Sequence, residues 1–365
     1  MKVLHVETGM NLYGGALQVA FLVRGLRARG ITTVMICPKG SAIAEAAAED
    51  VDVLHTVPMS GDLDLAFVPR LRRLLRAERP DVIHLHSRRG GDVLGGLAAR
   101  PLGIPIVMSR RVDNPESRRV VRLKYRLYDR VITISEGIRR VLLAEGLAAD
   151  KVVCVHSAVD TDLYRPQADR AWFRREFGLA EDQLAIGMAA QMIERKGHRD
   201  LFAALPALVE GYPHVRVLLF GQGPLRGALE REVRSRGLRD VVTFEGFRRD
   251  LPQVLPCLDL LVHPARMEGL GVALLQAAAC GVPIVAARAG GIPEIVRPGE
   301  NGYLVEPGDP AALSRALGEL CGDAPRRASF GQRGREIALR DFSIDAMVEG
   351  NMRVYRELTG HARAL

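Results

Sequence analysis

Short runs of near-continuous apolar character recur along the chain, separated by stretches whose apolar positions fall every three or four residues. In the first half the runs are Val3–Val6, Thr33–Cys37, Val53–Val57, Val82–His86, Ile104–Met108, Val131–Ile134 and Val152–Val155. Strands of a parallel sheet have this character because crossover helices bury both of its faces. Helical periodicity is predicted around Ala16–Ala28, Leu65–Ala77, Lys124–Tyr128 and Ile138–Leu143. A second series comprises Leu184–Ala189, Val215–Phe220, Val241–Phe244, Leu258–His263, Pro283–Ala286 and Gly302–Val305, each trailed by a helix signal. The alternation predicts an α/β protein of two Rossmann-like, doubly wound domains. The polar stretch Asp160-Thr-Asp-Leu-Tyr-Arg-Pro-Gln interrupts the rhythm, and its Pro166 discourages a continuous helix. The domains are therefore expected at 1–165 and 170–342, followed by a helix at about 343–365 with Met347, Met352, Val354 and Tyr355 apolar. Two facing domains of this kind place strand ends and helix N-termini around an interdomain cleft, where a ligand is expected.

Length and composition agree. At 365 residues, 48% apolar and 26% charged, the chain exceeds one core and is neither disordered, collagenous nor a disulfide scaffold. Cys37, Cys154, Cys257, Cys280 and Cys321 are odd in number and far apart in apolar runs. They read as buried thiols of a cytoplasmic protein rather than bridges or a zinc site. The uncharged run Gly269–Ala287 is punctuated by Gly271, Gln276, Gly281 and Pro283 and reads as helix, turn and strand, not a bilayer span. The start Met-Lys-Val-Leu-His-Val reads as a strand, not a signal peptide.

Charge is unevenly placed. Residues 1–165 hold 25 Lys/Arg against 18 Asp/Glu, nearly all of the net +8. Arg110, Arg111, Arg118, Arg119, Arg122, Lys124, Arg126 and Arg130 face only Asp113, Glu116 and Asp129. A field of this sign attracts phosphates or an anionic membrane surface; a solvated Arg-rich helix is the plain alternative. Nucleic acid is not expected as a partner, because aromatic residues beyond Tyr125 and Tyr128 do not interleave the basic segment.

Three segments carry candidate chemistry. Gly14-Gly15 closes a loop after the first strand and opens a helix, where backbone can approach an anionic ligand, although a two-glycine turn by itself is more often ordinary loop geometry. In His263-Pro-Ala-Arg-Met-Glu268-Gly-Leu-Gly-Val-Ala-Leu-Leu-Gln276, a strand ends, glycine-rich chain carries Glu268, and a helix starts near Gly271. Its free N–H groups form a seat for a phosphate. Gln276, more than one turn into an apolar helix, needs a polar partner if buried. Upstream, Gln191-Met-Ile-Glu-Arg195-Lys196-Gly-His198 follows a strand, and Lys196, with Arg195 beside it, offers the charge that neutralises a departing diphosphate. A capping carboxylate at Glu268 and a solvent-facing Arg195-Lys196 pair are the structural alternatives.

These residues, with Asp81-Val-Ile-His-Leu-His-Ser87, Ser135-Glu136, Val159-Asp160, Phe220-Gly-Gln-Gly-Pro224, Gly246, Ala279-Cys-Gly-Val-Pro283 and Gly290-Gly-Ile-Pro-Glu294, resemble the retaining nucleotide-sugar glycosyltransferases of family four. That family has the two-Rossmann GT-B architecture and includes bacterial envelope and lipopolysaccharide enzymes. The resemblance runs nearly end to end. It implies that Glu268 contacts donor-sugar hydroxyls, that Lys196, Gly14, Gly15 and the Gly269, Leu270, Gly271, Val272 backbone hold the diphosphate, and that Gln276 faces the ribose. Three departures stand out. Gln276 replaces a glutamate, Gln191 replaces an arginine, and Ser109-Arg110-Arg111-Val112-Asp113 stands where the family often has a histidine. Arg195 is a candidate substitute for the missing diphosphate cation. Arg111 is the counterpart of the histidine, with Ser87, Arg110 and Asp113 on the acceptor side.

The resemblance implies same-face substitution, in which the leaving diphosphate helps deprotonate the incoming hydroxyl and the protein positions and stabilises charge. No cofactor is expected, the nucleotide sugar being a substrate linked to UDP, GDP or ADP. No metal is expected either, since the candidate site segments hold no Asp-x-Asp pair. The expected acceptor is a glycan or lipid-linked molecule of the cell envelope, lipopolysaccharide core foremost, which would hold the protein at the inner face of the cytoplasmic membrane. Competing readings are a nucleotide-sugar 2-epimerase on the same fold and a noncatalytic nucleotide-sugar-binding protein, the latter prompted by Gln191 and Gln276.

Overall fold

The computed structural model describes residues 1–12, 14–86 and 90–360. It contains two parallel sheets. The first is built from β1 (Lys2–Val6), β2 (Thr32–Pro38), β3 (Val53–Val57), β4 (Val82–Leu85), β5 (Ile106–Arg110), β6 (Arg130–Thr133) and β7 (Val152–Cys154), in the order β3-β2-β1-β4-β5-β6-β7. The second uses β8 (Leu184–Ala189), β9 (Val215–Phe220), β10 (Val242–Gly246), β11 (Leu260–His263), β12 (Ile284–Ala287) and β13 (Gly302–Val305), in the order β10-β9-β8-β11-β12-β13. The strands of the described residues fall on the apolar runs: the interior ones are buried on both sheet faces, and the edge strands β3, β7, β10 and β13 only in part. Strand order reverses between β1 and β4, and again between β8 and β11. Such switch points open a crevice at the carboxyl ends of the strands.

The chain divides into one unit of Met1–Ala158 with Ile344–Leu365, and a second of Val159–Ser343. Residues 159–165, assigned by the sequence reading to the first domain, belong with the second. Their backbone is held there: Val159 N–H donates to the Phe342 carbonyl at 2.9 Å, and Arg335 donates to the carbonyls of Thr161 and Tyr164 at 3.0 and 2.8 Å. In the first unit one sheet face packs Leu71, Leu75, Tyr125 and Leu142, and the other packs Leu22, Leu26, Met352 and Tyr355. The latter come from the helices Gly14–Arg27 and Ile344–Thr359. Gln18 is buried in the first of these and clamps Ala158, donating to its carbonyl at 2.8 Å and accepting from its N–H at 2.6 Å. The core of the second unit gathers Leu201, Phe202, Leu219, Leu229, Val262 and Leu317.

Some helices depart from the pattern. The one expected at Lys124–Tyr128 spans Arg118–Lys124 and ends in a tighter 3-10 turn at Tyr125–Leu127, because the Ser117 side chain caps it by accepting from Val120 N–H. The helix Gly91–Ala99 has no counterpart in the sequence reading, since its three glycines hide the period. All five cysteines are free thiols, Cys154 half-buried and the rest buried. The run Gly269–Ala287 becomes the helix Val272–Ala279, a turn and β12, and no described helix is long and apolar enough to cross a membrane.

Candidate active site

In the second unit the switch point gathers chemistry from β8, β11 and the segments that leave them. After β8 the chain makes a 3-10 turn, Glu194–Lys196, whose last residue points inward and is 9% exposed. Gly197 ends this turn at φ +74°, and a Cβ there would run into the Pro264 carbonyl just beyond β11. Only glycine lets the Lys196 turn press against the β11 exit. Gly290, at φ +52°, does the same against the Glu268 carbonyl, fixing the loop from the other side. Lys196 thereby donates to the Glu268 carboxylate, 72 residues away in sequence. His263, the last residue of β11, donates from Nε2 to the same carboxylate oxygen at 2.9 Å.

The electrostatics follow from burial. Desolvation pushes the Glu268 carboxyl up, but the hydrogen bond and charge of His263 and the Lys196 ammonium outweigh it and hold it down to about 2. Burial, with His263 and Lys196 adding like charge, lowers His198 to about 4. The Nδ1 atoms of His198 and His263 are buried without a hydrogen-bond partner among the described residues. Leu270 is buried, and the loop leads through Gly271 (φ +104°) into the helix Val272–Ala279, whose first N–H groups lack intrahelical partners. Gln276 donates to the Tyr164 hydroxyl at 3.0 Å. The side chains of Gln191 and Arg195 are exposed and have no hydrogen-bond or ion-pair partner among the described residues. A cavity of about 180 Å³ lies beside the Lys196 turn, but it is flanked by mutually satisfied pairs, Arg199 with Glu194 and Arg266 with Asp200, and excludes Lys196 and Glu268.

In the first unit Gly14 and Gly15 open the helix Gly14–Arg27, and the Arg111 side chain lies against Gly15. Burial lowers the Arg111 guanidinium to about 10, with Glu7 and Tyr355 opposing the shift, and its Nε has no hydrogen-bond partner among the described residues. Beneath it His5, His84 and His86 are buried and held neutral by desolvation. His5 Nδ1 and His86 Nε2 are 2.9 Å apart, and His84 bonds the Tyr355 hydroxyl at 2.6 Å and the Ser109 hydroxyl at 2.8 Å. Each offers a ring nitrogen within 4.8 Å of the others, as a metal site would. Yet both nitrogens of His84 are already bonded, and the Arg111 charge nearby opposes a cation, so the cluster fits a neutral brace better than a metal centre. Arg110 is buried. Its guanidinium donates to the carbonyls of Val112 and Asn114 at 2.9 and 2.5 Å and pairs with Glu116 at 3.0 Å, so it braces its own loop. Asp113 is half-buried and forms no ion pair with Arg111, and Ser87 lies outside the described residues.

Sequence reasoning brought together Lys196, Glu268 and the Gly271 helix start but missed His263 and Tyr164. A histidine closing the apolar strand Leu-Asp-Leu-Leu-Val-His was the available signal for the first. Tyr164 lies in the polar stretch that interrupts the apolar rhythm, and nothing local marks it as the partner of Gln276.

Two family profiles divide the chain. Residues 13–163 match Glycosyltransferase Family 4, and residues 169–337 match Glycosyl transferases group 1. A GDP-mannose-dependent alpha-(1-6)-phosphatidylinositol monomannoside mannosyltransferase of Mycolicibacterium smegmatis is 36% identical over 50% of this chain, and the match spans half of that relative's length. A D-inositol 3-phosphate glycosyltransferase of Streptomyces scabiei is 28% identical, covering 97% of this chain and 85% of its own. Among solved structures, Anabaena Alr3699/HepE in complex with UDP shares the fold with a TM-score of 0.86 at 22% identity, covering 98% of this chain and all of its own. With one profile over each sheet and the GT-B fold throughout, the chain belongs to the family-four glycosyltransferases of the GT-B type.

Proposed function

We propose that the protein is a retaining glycosyltransferase that moves a sugar from a nucleoside-diphosphate sugar to a glycan or lipid-linked acceptor of the cell envelope. The observation that carries this reading is the buried Lys196–Glu268–His263 constellation beside the Gly271 helix start. Lys196 is the cation that meets the diphosphate. When it does, its bond to Glu268 is exchanged for bonds to phosphate oxygens, and the carboxylate is released to accept hydrogen bonds from sugar hydroxyls. Glu268 stays anionic throughout, because His263 still donates to it. The helix N–H groups after Gly271 stabilise the charge that grows on the leaving diphosphate. Gln276 offers an amide to the ribose, and Arg195, exposed on the same turn as Lys196, supplies a second cation at the mouth of the site. In the first unit Arg111, with Gly14 and Gly15, meets the transferring sugar or an acceptor phosphate. The reading requires no cofactor and no divalent metal.

Relatives named for phosphatidylinositol mannoside and inositol phosphate acceptors support an acceptor that carries phosphate or lipid, lipopolysaccharide core among them. The basic surplus of the first 165 residues supports attraction to an anionic membrane.

A panel of nucleoside diphosphates tests the donor assignment by thermal shift, since a ligand that binds the native state raises stability by mass action. One of UDP, GDP or ADP is expected to raise Tm, and Lys196→Met to abolish the rise. Arg195→Ala is expected to weaken the same binding, and unchanged affinity would remove Arg195 from the site. Incubation with the matching nucleotide sugar alone separates the alternatives: slow hydrolysis fits a transferase, interconversion of free donors an epimerase, and no turnover a binding protein.

A further inference from the structure

We propose that the outer face of the helices Arg118–Lys124 and Gly91–Ala99 in the first unit docks on an anionic lipid bilayer, with Val120 and Leu123 entering the headgroup layer and Arg118, Arg119, Arg122 and Arg126 binding lipid phosphates. This rests on the membrane-held acceptor proposed above and gives that membrane a defined docking surface. Leu123 is 72% exposed and Val120 48%, while Val121 and Tyr125 on the inner side are buried. Val93 and Leu97, four residues apart on Gly91–Ala99, are 40% and 45% exposed. The two helices are neighbours. Lys124 joins them through an ion pair to Asp92 at 2.6 Å, and Gly96 lies against the side chain of Leu127.

The arginines are arranged for an external anion. Arg119, Arg122 and Arg126 are exposed and make no hydrogen bond or ion pair among the described residues. Arg118 has only a 3.4 Å bond to the Ala144 carbonyl. Some other exposed arginines have a carboxylate partner, as Arg100 has Asp129 and Arg199 has Glu194, and Arg119, Arg122 and Arg126 do not among the described residues. The nearby acids point inward: Glu116 is taken by Arg110 and Lys124, and Asp92 by Lys124. What remains outside is aliphatic and positive, the combination that anionic headgroups over an acyl layer satisfy on both counts. Leu63 and Leu65 are still more exposed, but they alternate with Asp62 and Asp64, which such headgroups repel, and they are not part of the surface.

Flotation of the full chain with phosphatidylcholine vesicles, with and without phosphatidylglycerol, tests the proposal. Binding is expected only with phosphatidylglycerol, and it should fall as salt rises. At about fivefold per arginine, Arg119→Gln, Arg122→Gln and Arg126→Gln together should cost roughly a hundredfold. The double change Val120→Asp, Leu123→Asp should cost at least about tenfold. Leu123→Trp should strengthen binding and shift its emission to the blue on vesicles, as an indole entering the interface does. The nucleoside-diphosphate melting shift should survive in every variant, which shows folding. Equal binding to neutral vesicles, or binding indifferent to these changes, would overturn the proposal, as would capture by soluble polyglutamate but not by vesicles, the mark of an acidic protein partner. Vesicle binding without any nucleotide shift would instead fault the donor reading and leave this surface standing.

Discussion

Glu268 shows how one buried side chain reports its surroundings. Its carboxyl sits near 2 in the folded chain against 4.5 in the unfolded one, so its contribution to stability is present above about pH 4.5 and is lost as pH falls toward 2. Replacing it with an amide leaves Lys196 buried without its counter-charge, at a cost of about 3 kcal/mol. In urea titrations Glu268→Gln should therefore be less stable than wild type at pH 7, with the gap narrowing once pH drops below 4.5. A gap constant with pH would mean that the ion pair contributes nothing. Gln276 offers the opposite experiment. Its amide already meets the Tyr164 hydroxyl, and Gln276→Glu would let that position accept charge-assisted bonds from a ribose diol. Nucleotide affinity by calorimetry should rise roughly fivefold to tenfold, about the worth of one charged hydrogen bond over a neutral one. Unchanged affinity would place Gln276 away from the ribose.

Among the elements, the short turn from β8 into the helix His198–Gly211 decides whether Lys196 reaches Glu268. Gly197→Ala would force a side chain into left-handed backbone and against the Pro264 carbonyl, costing about 1–3 kcal/mol for the backbone alone. Loss of the nucleotide melting shift is expected with it, because the turn must move to make room. A variant that keeps both stability and shift would show that the turn tolerates displacement. Caps shift the boundaries of other elements. Ser135 accepts from Ile138 N–H at 3.1 Å and starts its helix at Glu136, ahead of the apolar pattern, just as Ser117 draws its helix forward to Arg118. Periodicity locates a buried face; a hydroxyl at the end decides where the first turn closes. Gly91–Ala99 was invisible for a related reason, since glycine packs close to Leu85 and Tyr128 while carrying no apolar signature.

For the whole molecule, the three buried histidines of the first unit set a pH limit. Burial holds His5, His84 and His86 below 6.5 in the folded chain, whereas the unfolded chain takes up protons there. Stability is thus full above about pH 6.5 and falls as pH drops, by about 1.4 kcal/mol per pH unit for each histidine that stays neutral. Denaturant titrations from pH 7.5 to 5 should show this decline, and His86→Asn should flatten it; a profile level across that range would mean the cluster charges freely. The apolar rhythm by itself determined both sheets, their parallel strands and the two-domain class, because a strand buried on two faces leaves a mark that no partner is needed to read. It also singled out Lys196, Glu268 and the Gly271 helix start, since loops that follow strands carry the polar exceptions. Only the tertiary structure decided which of these meet. The bond of Lys196 to Glu268, the second bond from His263, the partner of Gln276 and the inward turn of Arg110 all join residues that the chain brings close through strand order and glycine-lined contacts. Such distances belong to the fold, where packing and not neighbourhood in sequence sets which charges are shielded from water.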